Sequence, residues 1–139
     1  MTVIKWALFT IPAIIGLTAC QTDGYFAGDG DMMDLPGTTW GPAGDNPFDQ
    51  YVEFTSDTEL SGYAGCNRFF GSYSRNGDRL EISPLGATRM ACPGGRIPAE
   101  QDFLSRLQQA KAVSGDGSKI ELSDDNGMVI LVLNRRNQP

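Results

Sequence analysis

The sequence predicts a mainly β domain of the α+β class: a curved antiparallel sheet of about seven or eight short strands, approaching a small barrel, with one packed helix. Three observations carry this expectation. Seventeen glycines and eight prolines fall in 139 residues, a density that suits short strands joined by turns and not a helical bundle. Short apolar runs with a period of two recur between turn signals, as half-buried strands require. A single stretch, after Pro98, carries the helical period instead. With an apolar fraction of 40%, the chain can fill one small core, and its length fits one domain.

The first twenty residues read as an address. Lys5 precedes an apolar run from Trp6 to Leu17, which is short of the ~20 residues a membrane-spanning helix needs and fits the apolar region of a secretory leader. The run ends in Leu17-Thr18-Ala19-Cys20, which resembles the lipobox of bacterial lipoproteins. In that pattern small residues precede a cysteine that becomes acylated and N-terminal. Residues 1–19 are then a signal peptide and Cys20 is the lipidation site. Each buried lipid methylene adds ~0.8 kcal/mol of membrane affinity, so several chains anchor firmly. Gln21 occupies the place where an Asp would favour inner-membrane retention. The expected location is therefore the outer membrane, with the domain in the periplasm.

Residues 20–37 are expected to form the lipidated cysteine and a flexible tether. Asp23, Asp29, Asp31 and Asp34 recur among glycines with no base and no strand or helix period. Tyr25, Phe26, Met32 and Met33 can dock on the domain or the bilayer, though the composition favours mobility. The domain is expected over residues 38–136, followed by a tail, 137–139. Strands are expected at Thr38-Thr39-Trp40, from Gln50 to Thr55 (Val52 and Phe54 on one face) and from Thr58 to Ala64. A hairpin follows from Phe69 through Arg75-Asn76-Gly77-Asp78 to Ser83, because Asn-Gly is a strong turn signal. Ala87 to Ala91 reads as a further strand.

The helix begins near Pro98, which suits a first turn, with Glu100 and Asp102 near its positive end. Phe103, Leu104, Leu107 and Ala110 form its apolar stripe, and Gly115 and Gly117 close the segment. Lys119 to Ser123 is a strand, Asp124 to Gly127 a turn, and the continuous apolar run Met128 to Leu133 reads as a strand buried on both faces.

Several chemistries are excluded. With no histidine, no Ser-His-Asp triad, Cys-His pair or His-ligated zinc site exists. Two thiolates without further soft ligands do not make a zinc site, and Asp29 to Trp40 lacks the Gly and Glu of a calcium loop. The formal charge of −6 and scattered bases argue against nucleic acid. No catalytic residue, metal ligand or cofactor is expected, and the domain is expected to be a monomer.

Two segments carry a specific likeness. One runs Gly62-Tyr63-Ala64-Gly65-Cys66-Asn67-Arg68-Phe69-Phe70-Gly71-Ser72-Tyr73. The other runs Gly86-Ala87-Thr88-Arg89-Met90-Ala91-Cys92, ahead of Glu100 and Phe103-Leu104. Together they resemble the META domain, or HslJ-like, family, with its Gly-Cys-Asn element, later Gly-x-Tyr, and Thr-x-Met-x-Cys before a helix. The resemblance implies a small curved sheet with a helix, lipoprotein character in many bacterial members, and association with heat induction and novobiocin resistance. It implies no catalytic mechanism. It also suggests a likeness to pilotins, the lipoproteins that escort secretin subunits.

An oxidising envelope favours a disulfide between Cys66 and Cys92, adding ~3.5 kcal/mol on the chain-entropy estimate; two buried thiols are the alternative. Tyr63, Asn67, Arg68, Phe69, Phe70 and Arg89 are candidates for a binding surface. Each has a plainer reading. Asn67 suits a left-handed turn, the tyrosine and phenylalanines suit a core, and Arg68, Arg89 and Arg96 can pair with Glu53, Glu81 or Asp102. Phe69 and Phe70 are adjacent, so a strand points them to opposite faces and one of the two is expected outside the main core or under the helix. The expected role is non-enzymatic: a lipid-anchored module, attached to the membrane through its N-terminal lipid, that contacts an envelope protein or an apolar ligand in stress tolerance. A pilotin-like chaperone is the alternative, and a small enzyme without histidine a remote one.

Overall fold

A computed structural model describes residues 33–137 of the chain. The expected signal peptide, Cys20, Tyr25, Phe26 and Met32 lie outside the described residues, as does the end of the expected tail. Nine strands and one helix follow in the order β1 (Thr38–Pro42), β2 (Tyr51–Phe54), β3 (Glu59–Tyr63), β4 (Arg68–Asn76), β5 (Arg79–Ile82), β6 (Gly86–Ala87), α1 (Arg96–Gln109), β7 (Ala112–Gly115), β8 (Lys119–Ser123) and β9 (Val129–Arg136). All pair antiparallel in one curved sheet, ordered β3-β2-β1-β9-β8-β7-β5-β4-β6. Because β4 also pairs with β3, the hydrogen bonding runs round a ring and returns to its start. β6 lies beside β4 in line with β5, joined at Phe69 and Phe70.

The alternating runs explain the core. Val52 and Phe54, Leu80 and Ile82, and Ile120 and Leu122 all point inward, as a period of two dictates. They meet Trp40, Leu60, Phe69 and Leu133, all buried. Trp40 finds its polar partner locally, its indole N–H donating to Thr38 Oγ1 at 2.6 Å. Phe54 meets Tyr73 edge-on with ring centroids 4.8 Å apart. The Tyr73 hydroxyl donates to the Ser56 carbonyl at 2.7 Å, and burial followed by nearby Asp57 pushes its pKa up. Gly62 lets β3 fold closely: a Cβ there would lie 2.1 Å from the Tyr51 carbonyl oxygen and 2.6 Å from the Phe69 ring. The hairpin after β4 turns at Gly77-Asp78, since Asn76 still pairs with Arg79; only Gly77, with φ 63°, takes the left-handed place.

α1 places Phe103 and Leu107 in the core, with Ala110 just beyond its end and Leu104 packed alongside. The Phe103 ring meets Phe69 edge-on at 6.1 Å. The helix lies against β5 and β9, next to the thinnest seam of the ring, where β5 and β7 share only the Arg79–Ala112 pairing.

The structure departs from the sequence expectations at five points. The helix starts at Arg96, after a left-handed Gly95, and carries no acid in its first turn. Glu100 turns inward instead, and Asp102 pairs with Arg106 at 2.9 Å. A strand, β7, occupies Ala112–Gly115, where only Val113 is buried. The expected strand Ala87 to Ala91 shrinks to Gly86–Ala87, because Asn67 captures the backbone beyond it. The run into β9 is not buried on both faces: Leu133 alone is fully buried, and Val129 is 45% exposed. Finally, Met33 and Leu35 belong to the core, so packing begins before Thr38 and Met33 docks on the domain. Arg75 donates to the Met33 carbonyl and Thr38 to that of Leu35.

The turn from β7 to β8 makes a pH prediction. Asp116 Oδ1 accepts from Ser118 Oγ at 2.6 Å, Ser118 N at 2.7 Å and Lys119 N at 3.0 Å. The Ser118 hydroxyl above all, then these amides, lower its pKa from 3.8 to about 2. A depressed carboxylate stabilises the fold above its unfolded value and loses that contribution as pH falls through the folded one. The turn is therefore expected to loosen between pH 4 and 2, and Asp116→Asn to abolish that dependence, as read by an NMR titration of Ser118 and Lys119 amides. A titration midpoint near 4 in the wild type would overturn this.

Candidate functional site

The two motif segments meet at one place. The disulfide Cys66–Cys92 joins them, with Cα atoms 5.9 Å apart, and Cys66 is fully buried. Beside it Asn67, 3% exposed, bonds in every direction its amide allows. Its Oδ1 accepts from the Met90 N–H at 2.6 Å and the Thr88 hydroxyl at 3.1 Å. Its Nδ2 donates to Glu100 Oε1 at 2.9 Å, and its backbone N–H to Glu100 Oε2 at 2.6 Å. Glu100 is itself buried, at 8% exposed, and both of its carboxylate oxygens accept from Asn67. A carboxylate out of water needs such donors.

The surrounding bonds brace this clasp. Tyr63 donates through its hydroxyl to the Gly65 carbonyl at 3.0 Å, and Arg96 through Nη1 to the same oxygen at 2.8 Å. Arg96 also lies over the Phe48 ring at 5.3 Å. Gln50 Nε2 donates to the Ala64 and Ala99 carbonyls at 2.8 and 3.0 Å, tying the loop before β2 to α1. Thr88 N–H donates to the Arg68 carbonyl at 3.0 Å.

These positions sort the six candidate residues. Asn67 and Phe69 are buried and do not belong to a surface. Asn67 also takes no left-handed turn; Gly65, with φ 108°, does, because a glycine has no Cβ to clash there. Tyr63 is half-buried. Arg68, Phe70 and Arg89 are exposed, with Phe70 at 61%, so the Phe69–Phe70 pair splits between core and solvent. Met90 joins them at 58% exposed. Met90 is not among the six residues expected from sequence; the Asn67 bond to its N–H fixes its backbone beside Arg68. The expected carboxylate partners are elsewhere: Glu81 lies by Arg79 at 4.0 Å, Asp102 by Arg106, and Arg96 serves a carbonyl.

The outcome is two backbone-bonded segments that expose two guanidinium groups and two large apolar side chains. Chemically it offers contact area and positive charge, with no nucleophile paired to a base. Among the described residues no three or more Cys, Asp or Glu converge as metal ligands. Open depressions among the described residues lie elsewhere: some of about 320 and 300 Å³ flank Met33 and Asp34, and another of about 350 Å³ runs along Ser72–Ser74 and Glu81–Ser83.

The profile of the META domain matches residues 37–137. No curated protein matches the chain. Among solved structures, the NMR structure of a protein from Burkholderia xenovorans is 26% identical with a TM-score of 0.60, covering 75% of this chain and 85% of that one. The crystal structure of a DUF4847 family protein from Bacteroides vulgatus is 13% identical with a TM-score of 0.58, covering 76% and 96%. An NMR structure of a further protein is 20% identical with a TM-score of 0.55, covering 72% and 90%. The last two likenesses concern the fold alone.

Proposed function

This chain belongs to the META domain family, and from that premise we propose that it is a non-enzymatic, lipid-anchored envelope module that presents one preformed contact surface and supports envelope stability under stress. The observation that carries the reading is the division of labour within the two motifs. Cys66, Asn67, Thr88, Cys92 and Glu100 spend their bonding capacity on one another. Arg68, Phe70, Arg89 and Met90 are thereby held facing solvent. Ordering of these side chains' backbone is complete before any contact is made, so less entropy is lost on binding. The leader and the Leu17-Thr18-Ala19-Cys20 pattern support acylation at Cys20, and an anchor that concentrates the domain at a membrane lets weak contacts suffice.

Fractionation of cells carrying Cys20→Ser tests the anchor. The variant is expected to appear as a soluble or unprocessed form. A processed Cys20→Ser protein that still sediments with the outer membrane after a high-salt wash would contradict the reading. For the surface, in-cell crosslinking of the wild type and of a Phe70→Ser, Met90→Ser variant is expected to differ, with the variant losing its crosslinks; identical patterns would place the contact elsewhere.

A further inference from the structure

We infer that the patch formed by Arg68, Phe70, Arg89 and Met90 is a docking surface for an anionic phospholipid leaflet, which orients the domain against the membrane. This deepens the functional reading and rests on its contact surface.

Shape points to a bilayer. Arg68, Phe70 and Ser72 alternate outward along β4, and Thr88 to Met90 run beside them, bonded to Arg68 and Asn67. Phe70 and Met90 are more than half exposed, the Phe70 ring lying over Gly86 of the paired strand. A peptide gains affinity by burying side chains in a groove. A headgroup and acyl boundary instead gives way around protruding apolar groups and needs no groove.

Charge points the same way. Neither Arg68 nor Arg89 takes part in an ion pair among the described residues. A guanidinium fork matches phosphate oxygens in a bidentate arrangement. The chain is acidic as a whole, but screening limits each charge to about 8–10 Å, so the local pair governs contact with a surface. The second exposed apolar pair, Met128 and Val129, provides the contrast: it follows Asp124 and Asp125, which an anionic leaflet repels. Length also permits docking. Twelve residues separate Cys20 from Met33 and span no more than about 45 Å, so an acylated Cys20 keeps the patch within reach of the leaflet at high effective concentration.

The test uses the chain from residue 20 onward with Cys20→Ser, so that no acyl chain contributes, and vesicles of phosphatidylethanolamine with phosphatidylglycerol or of phosphatidylcholine alone. Flotation at low ionic strength is expected to carry the protein with the anionic vesicles and not with the neutral ones. Arg68→Glu with Arg89→Glu, and separately Phe70→Ser with Met90→Ser, are expected to lower partitioning by at least about tenfold with unchanged thermal unfolding, while Met128→Ser with Val129→Ser leaves it unchanged. Absence of flotation, or flotation equal in all variants, overturns the inference. If flotation fails but the patch variant still loses its crosslinks to a protein in cells, the occupant is a protein segment: leaflet docking falls and the contact-surface reading stands. If flotation succeeds while Cys20→Ser stays with the outer membrane as a processed species through a high-salt wash, which releases charge-held docking, the anchor reading falls and docking stands.

Discussion

Replacing Asn67 by alanine is expected to destabilise the domain by about 3 kcal/mol, because it takes one of two donors from a buried carboxylate and the acceptor from a backbone N–H together. Glu100 would keep one bond, from the residue 67 N–H, and Met90 N–H would lose its acceptor. For a domain of this size that is a fall in melting temperature of roughly 10–20 °C. Asn67→Asp separates the electrostatics from the shape. It keeps the acceptor and the volume but sets a second carboxylate where Nδ2 now meets Glu100 Oε1 at 2.9 Å. That variant is expected to be unstable at neutral pH and to recover on acidification, when one shared proton removes the repulsion. Thermal unfolding of both variants across pH checks this. An Asn67→Ala protein that melts with the wild type, or an Asn67→Asp protein whose loss is the same at every pH, would show that the clasp is not a structural element.

The second large effect belongs to the disulfide. Cys66 and Cys92 are 26 residues apart, so opening the bridge frees a loop whose closure is worth about 3.5 kcal/mol in the unfolded chain. Reductant, or a Cys66→Ala, Cys92→Ala variant, is expected to lower the melting temperature by roughly 15–25 °C. Calorimetry with and without reductant reads it directly, and equal traces would contradict it. The bridge and the Asn67 bonds hold the same two segments. Their losses are therefore expected to combine to less than their sum, since once one tie is gone the segments separate and the other has less to hold.

Much of the fold was legible locally. Val52 with Phe54, Leu80 with Ile82, and Ile120 with Leu122 announced their strands, because alternation is a property of the few residues on either side. Phe103, Leu104, Leu107 and Ala110 announced the helix for the same reason. Asn76-Gly77 marked its hairpin, although the turn itself is Gly77-Asp78. What failed locally had a physical cause each time. Ala112–Gly115 has one apolar side chain to show, and is a strand because β8 offers it a ladder. Met128 to Leu133 is apolar throughout yet lies partly at the surface of the ring, since composition states a preference for burial and not the number of faces that are covered. Met33 and Leu35, set among acidic residues and glycine, pack into the core that the closed ring provides.

The candidate site divides in the same way. Adjacency of Phe69 and Phe70 dictates opposite faces, and nothing in the pair says which one is inside; Phe103, 34 positions later, meets Phe69 and decides it. Asn67 reads as a turn former while its neighbours alone are known, because asparagine serves its own backbone well. Glu100, 33 residues away, makes it the centre of a buried network. Periods, turns and the presence of two cysteines in the domain were readable from residue type and from neighbours a few bonds away. Tertiary structure alone decided that two motifs clasp each other and leave Arg68, Phe70, Arg89 and Met90 outside. Directional hydrogen bonds form only between groups that folding has already brought within 3 Å or so of each other, and no local spacing encodes that encounter.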